Sequence, residues 1–180
     1  MNKRVLIISS SPRRGGNSDT LCDRFMAGAQ ESGHTVEKIS LREKTVNECL
    51  GCGLCYNFHK SCPQKDDTPE ILEKMVQADV IVFATPVYFY NMSGRLKTLI
   101  DRCCARFLEM KDKDFYFIAT MGEDRRDLME RAFDSIRSFL LGCPNPTEKG
   151  VIAATKVLDK GDINKSPVVF NQAYEMGKNV

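Results

Sequence analysis

"DVIVFATPVYFYNMSGRLK", residues 79–97, runs from an unbroken apolar segment, Val80 to Ala84, straight into aromatic and amide residues. A short continuous apolar run bounded by Asp79 and Pro86 fits a strand buried on both faces, the environment of a parallel sheet. Beyond Ser93 the period changes. Leu96, Leu99, Ile100, Cys103 and Phe107 recur at helical spacing, predicting an amphipathic helix. A buried strand, a loop and an amphipathic helix in succession form half of a βαβ unit, and the rest of the chain repeats the rhythm.

Upstream, Val5 to Ser9 reads as a buried strand, and Leu21, Phe25 and Ala29 define a helix that Gly33 stops. "HTVEKISL" alternates as a second strand, and Pro69 opens a helix through Ile71, Leu72, Met75 and Val76. Downstream, "DFYFIATMG" is a fourth strand and Leu128 to Leu140 a helix closed by Gly142 and Pro144. "GVIAATKV" is a fifth strand, and a last helix spans roughly Pro167 to Lys178. This alternation predicts an α/β fold: a doubly wound, five-stranded parallel sheet with right-handed crossovers and helices on both faces. One domain over residues 1–180 is expected, with a cysteine-rich insertion at about 42–68 that lacks periodicity.

Composition narrows the function. With 26 basic and 24 acidic side chains the net charge is +2, which argues against nucleic acid as partner. No stretch approaches the roughly 18 apolar residues of a membrane span. The opening "MNKRVLIISSSP" has early cations, but its apolar run covers only Val5 to Ile8, too short for an export signal. A cytoplasmic location is expected, and with it eight cysteines held as thiols.

In a doubly wound sheet ligands sit beyond the carboxyl ends of the strands. The first such loop, "SSSPRRGGNSDT" (9–20), matches neither a P-loop nor a dinucleotide fingerprint, which disfavours nucleotide hydrolysis. Its hydroxyls, Asn17, Arg13 or Arg14 and a helix start suit a phosphate monoester; the alternative is a solvated turn whose Ser and Asn cap the helix. The second, residues 85–97, places Tyr88, Phe89 and Tyr90 where they can cover a planar ring or a neighbouring subunit. The third, "ATMGED", carries a glycine that lets backbone approach a ligand.

Together these loops resemble the flavodoxin-like NAD(P)H-dependent FMN reductase family, and the cysteines below point to its iron-sulfur flavoprotein branch. "SSSPRRGGNSDTL" is similar to the family's phosphate loop and "ADVIVFATPVYFYNMSGRLKTLIDR" to its flavin-ring loop and following helix. The resemblance implies that Ser11, Arg13, Asn17 and Ser18 hold the FMN phosphate. It also implies that Pro86, Val87, Tyr88, Asn91 and Met92, with Thr120, Met121 and Gly122, flank the isoalloxazine. Two positions depart from the pattern: Ser10 stands where the family has glycine, and Ser18 where it has threonine.

The insertion carries Cys49, Cys52, Cys55 and Cys62 in the spacing C-x2-C-x2-C-x6-C, with Pro63 following. Two successive x2 gaps suit the corners of a cubane, and the spacing resembles the compact motif of iron-sulfur flavoproteins, so a [4Fe-4S] cluster is the leading expectation. Zinc, which favours two separated C-x2-C pairs, and an empty or thiol-redox loop remain open. His59 is expected to be an exposed loop residue rather than a ligand. Cys22, Cys103, Cys104 and Cys143 are expected to be core or semi-buried thiols. With two histidines in unrelated segments there is no acid-base pair, and no catalytic side chain is assigned. The resemblance implies an FMN-dependent oxidoreductase that takes electrons from NAD(P)H or ferredoxin to a small acceptor, as a homodimer or homotetramer. A non-catalytic flavodoxin-type carrier, and a flavin reductase with a structural cysteine loop, are the alternatives.

Overall fold

The computed structural model describes residues 2–57 and 61–180, so the expectation for His59 lies outside the described residues. Five strands, β1 (Arg4–Ser9), β2 (Thr35–Ser40), β3 (Val80–Pro86), β4 (Asp114–Thr120) and β5 (Thr147–Ala154), run parallel in the order β2-β1-β3-β4-β5. Between and after them come α1 (Asn17–Glu31), a single turn α2 (Leu54–Asn57), α3 (Thr68–Gln77), α4 (Gly94–Arg102), α5 (Arg126–Leu140) and α6 (Pro167–Lys178). This is the expected doubly wound sheet.

The continuous apolar runs are explained by alternation between two cores. Val5 and Ile7 of β1, Val80, Val82 and Ala84 of β3, and Tyr116 and Ile118 of β4 join Leu21 and Phe25 of α1 and Ala173 of α6 on one face. Leu6 and Ile8, Ile81 and Phe83, and Phe115 and Phe117 join Met75 of α3, Leu99 of α4 and Phe133 and Ile136 of α5 on the other. Each central strand is therefore apolar at every position, because both of its faces are covered.

Two boundaries differ from the sequence reading. The α4 helix stops at Arg102 and tightens into two short 3-10 turns, Cys103–Ala105 and Phe107–Glu109, separated by Arg106 at φ −147°. Strand β5 begins at Thr147, before the expected Gly150, and a bulge opposite Phe115 and Tyr116 restores the register.

The cysteine-bearing insertion is closed at its neck. Thr45 N donates to Asp67 Oδ2 (2.7 Å), Asp67 N donates to Thr45 O (3.0 Å) and Asn47 N donates to Asp66 Oδ2 (2.9 Å). Asp66 also pairs with Arg102 at the end of α4 (2.6 Å), both side chains being at most 1% exposed. Burial pushes the Asp66 carboxyl up, but the guanidinium and the amides of Asn47 and Thr68 outweigh it and bring the carboxyl down to about 2.

Helix α1, whose first turn faces the carboxyl edge of the sheet, is held from behind by α6. The approach is close enough to require glycine on both helices. A methyl at Gly28 would lie 2.1 Å from the Tyr174 carbonyl oxygen, and one at Gly177 2.0 Å from that of Phe25. Because the obstacle is backbone, Gly28→Ala is expected to cost about 2–3 kcal/mol by overpacking. A lowered urea midpoint at unchanged slope is the readout; an unchanged midpoint would mean the helices can separate freely.

Candidate functional site

The loop from β1 to α1 is shaped by a buried carboxylate that sequence reasoning passed over. Asp19, 4% exposed, accepts from Ser9 Oγ (2.9 Å), from the Gly15 amide (3.0 Å) and from Lys38 Nζ (3.2 Å). Burial pushes its carboxyl up, and the Gly15 amide, Lys38 and Ser9 together hold it below the usual range. Gly15 takes φ +62°, and a methyl at Gly16, the residue before α1, would meet Ser11 Oγ at 2.6 Å. The chain therefore folds tightly over the start of α1, where no side chain caps the helix.

The four residues expected at a phosphate are brought to this loop but are not equivalent. Ser11 Oγ donates to the Arg13 carbonyl (3.0 Å) and accepts from the Arg13 amide (3.2 Å). Asn17 Nδ2 donates to the carbonyls of Val157 (3.2 Å) and Asp159 (2.9 Å), and its Oδ1 accepts from Ile163 N (3.2 Å), so its side chain ties down the segment after β5. Arg13 is exposed and donates to Leu158 O (3.0 Å). Ser18 stands apart: it is 1% exposed, and its hydroxyl has no hydrogen-bond partner among the described residues. A buried, unsatisfied hydroxyl in the first turn of a helix fits an anionic ligand, since such a group is costly unless something binds it.

Ser10 is accommodated without distortion of the turn. Its Oγ donates to Ala84 O (2.8 Å) and accepts from Ser93 Oγ (2.8 Å), while Ser93 Oγ caps α4 by accepting from Leu96 N (3.4 Å). The side chain stitches the first loop to the start of α4.

Pro86 ends β3 and pairs with Thr120 at the end of β4; Val87, Tyr88, Asn91 and Met92 follow β3, and Met121 and Gly122 follow β4. Val87 N donates to Thr120 O (2.8 Å), and Tyr90 Oη reaches Glu123 Oε1 (3.2 Å). Tyr88 and Asn91 exchange reciprocal backbone bonds of 3.0 Å across Phe89 and Tyr90, whose φ values are +48° and +61°. Positive φ at both central residues is the habit of a type I′ turn, normally filled by Asn and Gly. Two aromatic residues hold it here, and Phe89 is 101% exposed. Tyr90 is half-buried against the core, so Phe89 alone combines a left-handed backbone with a fully exposed ring, and packing within the chain does not account for it.

The segment after β5, not singled out from sequence, closes the same edge. Met121 O accepts from Val157 N (3.0 Å), and the Cβ position of Gly122 lies 3.0 Å from the Leu158 side chain.

Cys49, Cys52, Cys55 and Cys62 line one cavity of about 140 Å³. Gly51 (φ +61°) and Gly53 (φ +70°) supply the left-handed turns that wrap the chain round it. No three metal-binding side chains among the described residues converge on a single ion. The four thiols, Cys49 and Cys52 exposed and Cys55 and Cys62 half-buried, nevertheless line one cavity, and an all-sulfur donor set fits a cluster. Cys22, Cys103 and Cys143 are buried as expected, and burial raises all three thiols, Cys143 to about 11. Cys104 is a correction: α4 ends two residues earlier, at Arg102, and the 3-10 turn that follows leaves Cys104 exposed, lining the cysteine cavity next to Cys55. Helical periodicity carried to Phe107 concealed it.

Comparison with known proteins agrees with this geometry. The family model for NADPH-dependent FMN reductase matches residues 3–143. An iron-sulfur flavoprotein of Methanocaldococcus jannaschii is 34% identical over 98% of this chain and 95% of its own length. Another, of Archaeoglobus fulgidus, is 31% identical over 98% and 93%. Among solved structures, an NAD(P)H:quinone oxidoreductase from Methanothermobacter marburgensis superposes with a TM-score of 0.74 at 21% identity, covering 99% of this chain and 97% of that one, a likeness of fold. With the family model spanning most of the chain and a relative 34% identical over nearly its full length, the chain belongs to the NADPH-dependent FMN reductase family and is an NAD(P)H-linked oxidoreductase of flavodoxin-like fold.

Proposed function

We propose that this protein is an iron-sulfur flavoprotein, passing electrons between NAD(P)H or ferredoxin, FMN and a small acceptor in a reducing, cytoplasmic compartment. The observation that carries it is the course of α4. The helix begins at Ser93, bonded to both the phosphate-type loop and β3, and ends at Arg102, bonded to the cysteine loop. One rigid element joins the two candidate cofactor sites.

In this reading Ser18 and the first amides of α1 hold the FMN phosphate, with Arg13 free to turn from Leu158 O toward it. Ser11 and Asn17 keep the loop in shape through their own bonds. Pro86 to Tyr88, Asn91, Met92 and the 120–122 segment bound the ring and limit water. FMN supplies two-electron hydride acceptance and one-electron release. Cys49, Cys52, Cys55 and Cys62 hold a [4Fe-4S] cluster, which supplies one-electron storage. Phe89, exposed at its turn, offers a surface for a second copy of the chain, as a homodimer or homotetramer would require.

The deciding measurement is iron, sulfide, zinc and FMN content in anaerobically purified protein. About four iron and four sulfide per FMN are expected, with Cys52→Ala losing iron but keeping FMN and Cys104→Ala keeping both. Zinc in place of iron would sink the cluster reading. Steady NAD(P)H oxidation by the pure protein separates an enzyme from a passive carrier.

Ser18→Ala is expected to weaken FMN binding roughly tenfold or more, the effect of losing a hydrogen bond to a charged group, without lowering the melting temperature of the flavin-free chain. Equal losses in both would make the hydroxyl structural. Phe89→Asn, which puts a left-handed-tolerant residue in the strained turn, is expected to raise stability by about 1 kcal/mol while lowering turnover. Unchanged turnover would remove the ring from the site.

A further inference from the structure

Arg102 is an unusual residue to find at the end of α4. Its side chain is 1% exposed, and all of its described partners belong to the cysteine insertion. Nη1 donates to Asn47 O (2.8 Å) and Asp66 Oδ2 (2.6 Å), and Nη2 to Asp66 Oδ1 (3.3 Å). The remaining reach of Nη2 goes to Cys62 Sγ, at 3.4 Å. A guanidinium that served only to close the neck would need the carboxylate and the carbonyl; the bond to sulfur is additional. It falls on the cysteine that follows the longest gap of the motif, the one whose backbone the spacing leaves least constrained.

Resting on the reading that Cys49, Cys52, Cys55 and Cys62 carry a [4Fe-4S] cluster, we propose that Arg102 is a positioning residue for that centre: it orients Cys62 and, with Asp66, sets the cluster's reduction potential through a buried N–H to sulfur bond. Reduction adds one electron, and so one negative charge, to the cluster. A donor on a ligand sulfur stabilises the more negative state and raises the potential, and so does a nearby cation. Asp66 opposes it. At one carboxylate to one guanidinium the pair is formally neutral, which leaves the directed N–H as the net influence on Cys62. In a low-dielectric setting neither member is screened by water, so removing either one exposes the charge of the other to the cluster.

That arrangement predicts shifts of opposite sign from two neighbouring residues. Arg102→Lys keeps a cation for Asp66 but cannot also reach Cys62, so the potential falls. Arg102→Met leaves Asp66 unopposed, so it falls further. Asp66→Asn leaves the guanidinium unopposed, so it rises. A residue that merely closed the neck would, when changed, admit water to the cluster and shift the potential in one direction for every variant.

The experiment is an EPR-monitored redox titration of anaerobically reconstituted full-length wild type, Arg102→Lys, Arg102→Met and Asp66→Asn, with iron, sulfide and FMN measured on each sample and folding checked by thermal melting. The ordering Asp66→Asn above wild type above Arg102→Lys above Arg102→Met is expected. A slower loss of iron to a chelator from wild type than from Arg102→Lys is expected alongside it. Should the methionine variant fail to fold, the lysine and asparagine variants still give the two signs. Shifts of one sign, or no shift in fully loaded variants, would overturn the role of Arg102. A wild type that takes up no iron would overturn the cluster reading itself, and the metal analysis tells the two failures apart.

Discussion

All five strands run the same way, and that constraint governs the molecule. A parallel strand cannot be followed by a hairpin to its neighbour, so each connection has to cross a face of the sheet. Both faces are thereby covered, which is why β1, β3 and β4 are apolar at nearly every residue. The same geometry sends every strand's carboxyl end to one edge. The anion-ready start of α1, the aromatic turn after β3, the glycine turn after β4, the segment after β5 and the cysteine insertion after β2 gather there for one topological reason.

What lies at that edge departs from the sheet's regularity in a consistent way. Asp19 and Asp66 are carboxylates taken out of water and stabilised by backbone amides and cations. Phe89 and Tyr90 hold backbone angles that suit Asn and Gly. Ser18 has a buried hydroxyl with no partner among the described residues. Each is locally unfavourable, and the packed sheet below stabilises the chain enough to tolerate them.

Strands and helices were legible in the sequence because burial on one or two faces imposes a period, and "DVIVFATP" or the Leu128 to Leu140 stripe displays it directly. The cysteine spacing was legible because ligand geometry is local. Other features depend on distant partners and leave no period. Asp19 reads as an ordinary polar residue in a first helical turn until Ser9 and Lys38 come within reach. Arg102 looks like the polar face of α4 until the neck closes on it. Cys104 was misread because the change from α to 3-10 helix after Arg102 is a backbone event that apolar spacing does not encode. The role of Asn17 was half visible: its place at the loop was clear, but its carbonyl partners come from a segment some 140 residues away.

The α4 helix has a further consequence if both centres are present. It spans nine residues, roughly 13 Å of rigid rise, between the serine cap at one candidate site and the arginine at the other. Electron tunnelling weakens exponentially with separation, so a rigid element of that length would hold the distance between them, and with it the rate of exchange, constant. The length of α4 would in that sense be an electrical parameter written into the fold.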